Sequence, residues 1–168
     1  CLGKRESVAD VARNLERMVQ GIMARTFSHR IVEELAEHAR IPVINGLTDY
    51  NHPCQAMADY MTLLEVKKRL AGMKLAYVGD GNNVAVSLIH GAARLGVHLV
   101  LATPPGYEPD PEVVEWARAH AAETGSKIDL THDPVEAVKD ADAVYTDVWT
   151  SMGQEAESAV RLKVFRPY

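Results

Sequence analysis

Apolar residues recur along this chain with two periods, and the two alternate in a regular order. Val8, Val11, Ala12, Leu15, Met18 and Val19 fall at helical spacing behind Ser7-Val8-Ala9-Asp10, where a capping hydroxyl precedes an acid three residues on. This predicts a helix over about 7–19, stopped by Gly21. Gly21-Ile22-Met23-Ala24-Arg25 is short and apolar enough for a buried strand ending in a cation. Ser28 is placed to cap a second helix with Ile31, Val32, Leu35, Ala36 and Ala39 on its inner face, and Ile41-Pro42-Val43-Ile44-Asn45 reads as the next strand. The longest helical pattern follows, over 53–70, with Met57, Met61, Leu64 and Leu70 at core spacing and Lys67-Lys68-Arg69 near its C-terminus.

After Gly72 the pattern becomes a strict alternation: strand 73–78, helix 83–95, strand 97–102, helix 111–123, strand 127–131, helix 134–139, strand 142–146, then a helix at about 154–164. Two helices open with Asp-Pro, at Asp110-Pro111 and Asp133-Pro134, an N-cap followed by a first-turn proline. Alternating β and α of these lengths implies parallel, doubly wound sheets. The expected fold is α/β: two parallel-sheet domains, the first one partial, joined by the long helix. The expected boundaries are 1–52, an interdomain helix 53–71, and 72–168.

Composition narrows the function. The 168 residues are 47% hydrophobic, enough for a core, and carry a net charge of −5 with no basic block, which argues against nucleic acid. No apolar run approaches the roughly 18 residues of a membrane span. Only Cys1 and Cys54 occur, with no secretory signal, so neither a disulfide framework nor a zinc site is expected, and a reducing cytoplasm is the default. The seven histidines show no metal-ligand spacing, and no metal or cofactor is expected.

Candidate chemistry gathers at Asp49-Tyr50-Asn51-His52-Pro53-Cys54-Gln55, where a strand turns into the long helix. Pro53 suits a first helical turn, which leaves His52 and Gln55 at the helix N-terminus, where unpaired N–H groups attract an anion or a polarised carbonyl oxygen. Taken alone, a histidine beside a proline at a helix start is more often a cap than a catalyst. Arg25 ends the preceding strand, and parallel sheets gather ligands at such ends. An isolated arginine there is otherwise more often a surface ion-pair partner. A nucleophile–base pair of Cys54 with His52 is disfavoured, because side chains two apart diverge, and Cys54 is expected to be a packing residue.

Two further stretches follow in order. Gly79-Asp80-Gly81-Asn82-Asn83 closes the first strand of the second half, and Asp147-Val148-Trp149-Thr150-Ser151-Met152-Gly153-Gln154-Glu155 follows its last. With Asn45-Gly46-Leu47-Thr48-Asp49 running into His52-Pro53-Cys54-Gln55-Ala56-Met57-Ala58-Asp59-Tyr60, these resemble the signatures of the aspartate/ornithine carbamoyltransferase family over nearly the whole chain. The Ser-Met-Gly element is similar to that of its ornithine branch. Two family signatures are absent: the Ser-Thr-Arg-Thr-Arg phosphate loop expected before residue 1 and the His-Cys-Leu-Pro segment expected after Tyr168. The chain thus resembles the middle half of such an enzyme. Cys1 stands where those enzymes commonly place a glutamine.

The resemblance implies carbamoyl transfer from carbamoyl phosphate to the δ-amine of L-ornithine, giving citrulline and phosphate, as in arginine biosynthesis. It implies a carbamoyl-phosphate-binding domain over 1–52, an ornithine-binding domain over 72–168, and an active site in the cleft between them. Arg25 and His52 would be the catalytic pair, with Arg25, His52 and Gln55 binding carbamoyl phosphate. Asn83, Asp147, Ser151 and Met152 would bind ornithine. It also implies a homo-oligomer, a trimer or a multiple of one, in which Lys4 and Arg5 could serve a neighbouring subunit.

Two other readings stand beside this one. A non-catalytic fragment or binding module would explain the missing phosphate loop. A nicotinamide-type nucleotide module is invited by Gly79-Asp80-Gly81, but the third glycine position holds Val84, and the strand over 97–102 ends in Thr103-Pro104-Pro105 with no acid for a ribose hydroxyl.

Overall fold

A computed structural model describes residues 5–150 and 154–168. The chain parts into two compact units, 1–55 and 56–168. Among the described residues all strand pairings are parallel, and the architecture is α/β, as the alternation of periods predicts.

The first unit runs α1 (Val8–Leu15), β1 (Ile22–Arg25), α2 (His29–His38) and β2 (Val43–Leu47), and it holds the first turn of α3 (Pro53–Lys67). Ser7 caps α1, its Oγ accepting from Asp10 N at 3.1 Å, as the Ser-x-x-Asp spacing predicts. The helix ends at Leu15, four residues short of the periodic pattern, and Met18 and Val19 are exposed. Val8, Ala12 and Leu35 form the small core, with Ala24, Ile31, Ala39 and Val43 packed on it; Ala36, expected inside, is exposed. β1 and β2 pair in register from Ile22↔Val43 to Ala24↔Asn45, then slip so that Arg25 faces Leu47. Ser28 does not cap α2 with its side chain. Asp49, from the turn after β2, does so instead: its Oδ1 accepts from His29 N at 2.9 Å.

The second unit carries most of α3, then β3 (Lys74–Val78), α4 (Asn83–Leu95), β4 (His98–Ala102), α5 (Pro111–Thr124), β5 (Ile128–Thr131), α6 (Pro134–Val138), β6 (Ala143–Thr146), a 3-10 turn (Glu155–Glu157) and α7 (Ser158–Val164). The expected last helix is thus split, its first turn being 3-10. Sheet order is β5-β4-β3-β6, so the winding reverses at β3. The core lies between this sheet and α4 with α5, built on Leu75, Tyr77, Leu88, Ile89, Leu99 and Leu101, all essentially out of solvent. Both Asp-Pro caps form: Asp110 Oδ1 accepts from Glu112 N, and Asp133 Oδ1 from Val135 N and Glu136 N.

The helix α3 overturns one expectation. Met57 and Met61 are 60% and 61% exposed, and Leu64 is exposed as well. The buried stripe is Ala56 and Tyr60, with Leu63 and Leu70 packed on the core. Tyr60 turns inward because its ring fills the notch at Gly91, where a Cβ would lie 2.3 Å from it, while its hydroxyl donates to Leu88 O at 2.6 Å. The helix stops at Lys67, since Lys68 takes a left-handed backbone (φ 62°), and Arg69 instead pairs with Asp142 at 3.1 Å.

Candidate active site

In the first unit the sequence builds a latched turn at the carboxyl edge of β1–β2. Thr48 is fully buried; its N donates to Asn51 O at 2.9 Å, and its Oγ1 accepts from Asn51 N at 3.2 Å and lies 3.0 Å from His29 Nδ1. Asp49 N donates to Phe27 O at 2.7 Å, and Asn51 Oδ1 accepts from Asn45 Nδ2 back on β2. Residues 48–51 are therefore tied to strand, loop and helix at once, and His52, half-buried, leaves this turn in a fixed direction before Pro53 opens α3. Gln55 lies in the first turn of the helix and is exposed.

Arg25 ends β1 at the same edge. Its side chain is exposed and makes no ion pair or hydrogen bond among the described residues. The first turn of α3 carries no acid that would offset the positive end of the helix dipole. Such an arrangement can receive an anion or steady a developing oxyanion. Cys54, expected to be a packing residue, is exposed, and its thiol donates to Asn45 O at 3.2 Å.

In the second unit the reversal of winding puts the ends of β3 and β6 side by side, Val78 opposite Thr146. In doubly wound sheets ligands settle in the crevice at this switch point. Asn82 caps α4, its Oδ1 accepting from Val84 N at 3.0 Å and Ala85 N at 3.1 Å, while its Nδ2 donates to Asp147 Oδ2 at 2.9 Å. This single amide draws the Asp147 carboxylate to the N-terminus of α4, beside Asn83, the first residue of that helix. Asp147 and Asn83 are thus brought together. Ser151 and Met152, with Cys1 and Lys4, lie outside the described residues.

Around that edge the electrostatics are set by burial. Asp80 is buried, and burial raises its carboxyl above the usual range, opposed by the Arg161 guanidinium at 2.7 Å and reinforced by the charge on Asp147. Burial, and after it the fields of Asp147 and Asp80, hold the Tyr77 hydroxyl protonated well beyond its ordinary range. Tyr145, stacked on Tyr77 at 5.9 Å, is raised by burial and then by Asp59. The contact to Asp147 at this edge comes from the neutral amide of Asn82, while the nearby Arg161 guanidinium is taken up by Asp80 and Trp149 O. The loop before α4 is held from outside as well, Gly81 N donating to Tyr107 O at 2.8 Å. Sequence reasoning missed Arg161 and the bridging part of Asn82.

Among the described residues no group of three or more His, Cys, Asp or Glu side chains could hold a metal, and no helix is long and apolar enough to cross a membrane.

Comparison with known proteins decides the family. The model of the aspartate/ornithine carbamoyltransferase Asp/Orn binding domain matches residues 71–168, and that of the carbamoyl-P binding domain matches residues 2–65. The chain belongs to the aspartate/ornithine carbamoyltransferase family. Within that family it is 60% identical over 167 residues to the ornithine carbamoyltransferase of Thermococcus kodakarensis, covering 99% of this chain and 53% of the relative. It is 62% identical to that of Carboxydothermus hydrogenoformans, covering 54% of it. The solved ornithine carbamoyltransferase of Pyrococcus furiosus superposes with a TM-score of 0.95 at 58% identity, over 100% of this chain and 54% of that one. The chain spans about half the length of the curated relatives it matches.

Proposed function

We propose that the protein carrying this chain transfers the carbamoyl group of carbamoyl phosphate to the δ-amine of L-ornithine. The amine nitrogen attacks the carbonyl carbon, the C–N bond forms, the C–O bond to phosphate breaks, and the amine sheds a proton as citrulline and phosphate leave. Arg25 and His52 polarise the carbamoyl oxygen and carry the charge that develops on it, and Gln55 orients the carbamoyl amide. Asn83, Asp147, Ser151 and Met152 hold the α-amino-acid end, so that the δ-amine is presented in a reactive orientation. On this reading residues 1–52 serve carbamoyl phosphate and 72–168 serve ornithine.

The observation that carries the reading is the placement of Asp147 by Asn82 at the β3/β6 switch point: a carboxylate for an α-ammonium beside a helix N-terminus for an α-carboxylate. The exposed Arg25, with no partner among the described residues, supports the anionic half. The relatives named above carry the ornithine-specific name, and a Pyrococcus furiosus relative is named anabolic, which favours the biosynthetic direction. We place the enzyme in the cytoplasm as a homotrimer or a multiple of one, in keeping with the absence of a paired-cysteine pattern in this chain and with the family resemblance.

The test is citrulline formation by the full-length protein from both substrates, with calorimetry for each. Saturable ornithine binding after carbamoyl phosphate and ornithine-dependent phosphate release are expected. Phosphate release indifferent to ornithine refutes the assignment.

A further inference from the structure

Arg161 is a cation almost wholly removed from solvent, 5% exposed, and three loops at the carboxyl edge of the four-stranded sheet converge on it. Its Nη1 donates to Asp80 Oδ2 at 2.7 Å, just past β3, and to Trp149 O at 3.1 Å, just past β6. The guanidinium carbon sits 4.9 Å from the ring centroid of Tyr107, in the loop after β4. Its Nε completes the set with Glu157 Oε2 at 3.3 Å.

A buried ion pair of this kind is a poor device for stability alone, since well-packed apolar residues commonly do as well or better. What it supplies is geometry. A guanidinium is a planar fork that can donate to two loops in one fixed plane while its face covers an aromatic ring; an ammonium cannot do this. Both loops that Arg161 joins lead directly to candidate ligand groups: Asp80 is two residues before Asn82, and Trp149 two residues after Asp147.

We propose that Arg161 is a positioning residue for the amino-acid edge, fixing the separation of the β3 and β6 loops and through it the Asn82–Asp147 contact and the setting of Asn83. It touches neither substrate. The proposal rests on the reading that this edge receives the α-amino-acid end of ornithine, and it adds a residue through which ornithine affinity can be lost without any loss of carbamoyl phosphate binding.

The experiment compares the full-length protein with Arg161→Lys, Arg161→Met, and Arg161→Met combined with Asp80→Asn. In the single variants KM for ornithine rises about tenfold or more while KM for carbamoyl phosphate stays within about twofold. Arg161→Met also lowers the melting temperature, because it strands a buried carboxylate. The double variant removes that charge and regains thermal stability, yet it lacks the tie to Trp149 O, so ornithine KM stays raised. If Arg161→Met does not fold, Arg161→Lys and the double variant carry the test. An ornithine KM restored together with stability in the double variant, or one unmoved in Arg161→Lys, overturns the positioning role. Absence of ornithine turnover in the unmodified protein is a different result, which sinks the functional reading itself.

Discussion

Gly81 offers the sharpest test of how the amino-acid edge is held. A Cβ built there would lie 2.3 Å from Pro109 N, 2.5 Å from Glu108 C and 2.7 Å from Tyr107 O, all backbone atoms that cannot rotate away. To reach the 3.4 Å of ordinary contact, the loop before α4 and the loop after β4 must part by about 1 Å in Gly81→Ala. Overpacking of this size costs about 1–3 kcal/mol. It also strains the Gly81 N to Tyr107 O bond and shifts Asn82, the next residue, which caps α4 and holds Asp147. Stability and ornithine affinity should therefore fall together. Gly106→Ala supplies the control, because Gly106 has φ +85° with nothing within 4 Å of its would-be Cβ. Its cost is backbone strain alone, about 1–2 kcal/mol, with Asn82 untouched. Both tryptophans, Trp116 and Trp149, lie in the second unit, so their fluorescence in a urea series reports that unit by itself. Calorimetry on the full-length protein with carbamoyl phosphate bound reports ornithine. The expected pattern is comparable loss of stability in both variants and loss of ornithine affinity, about tenfold or more, only in Gly81→Ala. Equal ornithine affinity in the two would show that the close approach of these loops does not set the ligand geometry.

His52→Ala in the full-length protein should lower kcat about a hundredfold while ornithine KM changes little, since the imidazole is assigned to charge that develops only during the reaction; steady-state kinetics with each substrate varied will decide. Arg25→Gln should raise KM for carbamoyl phosphate about tenfold or more with ornithine binding retained, and the effect should shrink in high salt, because an exposed guanidinium acts through a screened field; an unchanged KM removes Arg25 from the site. Tyr60 and Tyr77 are held protonated by burial, above the value of about 10 for tyrosine in an unfolded chain. The stability this confers is whole below that pH and is lost as pH rises beyond it, by about 1.4 kcal/mol per pH unit for each tyrosine, because only the unfolded chain releases the proton. Urea midpoints followed from neutral to alkaline pH should show that decline, and Tyr60→Phe should make it shallower.

The order of elements was legible because each signal is local. Ser7, Asp110 and Asp133 cap the helices they precede, and the apolar runs at 74–78 and 98–102 are strands buried on both faces, as a covered parallel sheet requires. The face of α3 was not legible. Apolar residues lie all around that helix, so spacing alone could not choose between the Met57-Met61-Leu64 stripe and Ala56-Tyr60, and the choice is made by a notch at Gly91, more than thirty residues away. The cap on α2 was misassigned for the same reason: Ser28 has the right chemistry at the right place, yet Asp49 reaches His29 N from the next strand's turn.

The same division runs through the candidate site. Asp147 could be placed at a strand end from its neighbours, but its contact with Asn82 spans 65 positions and exists only because the sheet reverses at β3. Arg161 was hidden by its surroundings. In Val160-Arg161-Leu162-Lys163 the arginine reads as the solvated face of an ordinary amphipathic helix, whereas Val160 and Leu162 are the exposed residues, 60% and 54%, and the arginine is the buried one. A helix that turns a charge inward and its apolar residues outward gives up burial, so something specific must offset the loss. Here Asp80 neutralises the charge, Trp149 O accepts one of the remaining donors, and Tyr107 and Phe165 cover the guanidinium face at 4.9 and 5.8 Å. Two local signs could have pointed to that inversion: an acid at Asp80, directly after a strand with no cation beside it in sequence, and an arginine followed four residues later by Phe165, which is fully buried. Each is weak alone, and the topology of the sheet is what joins them.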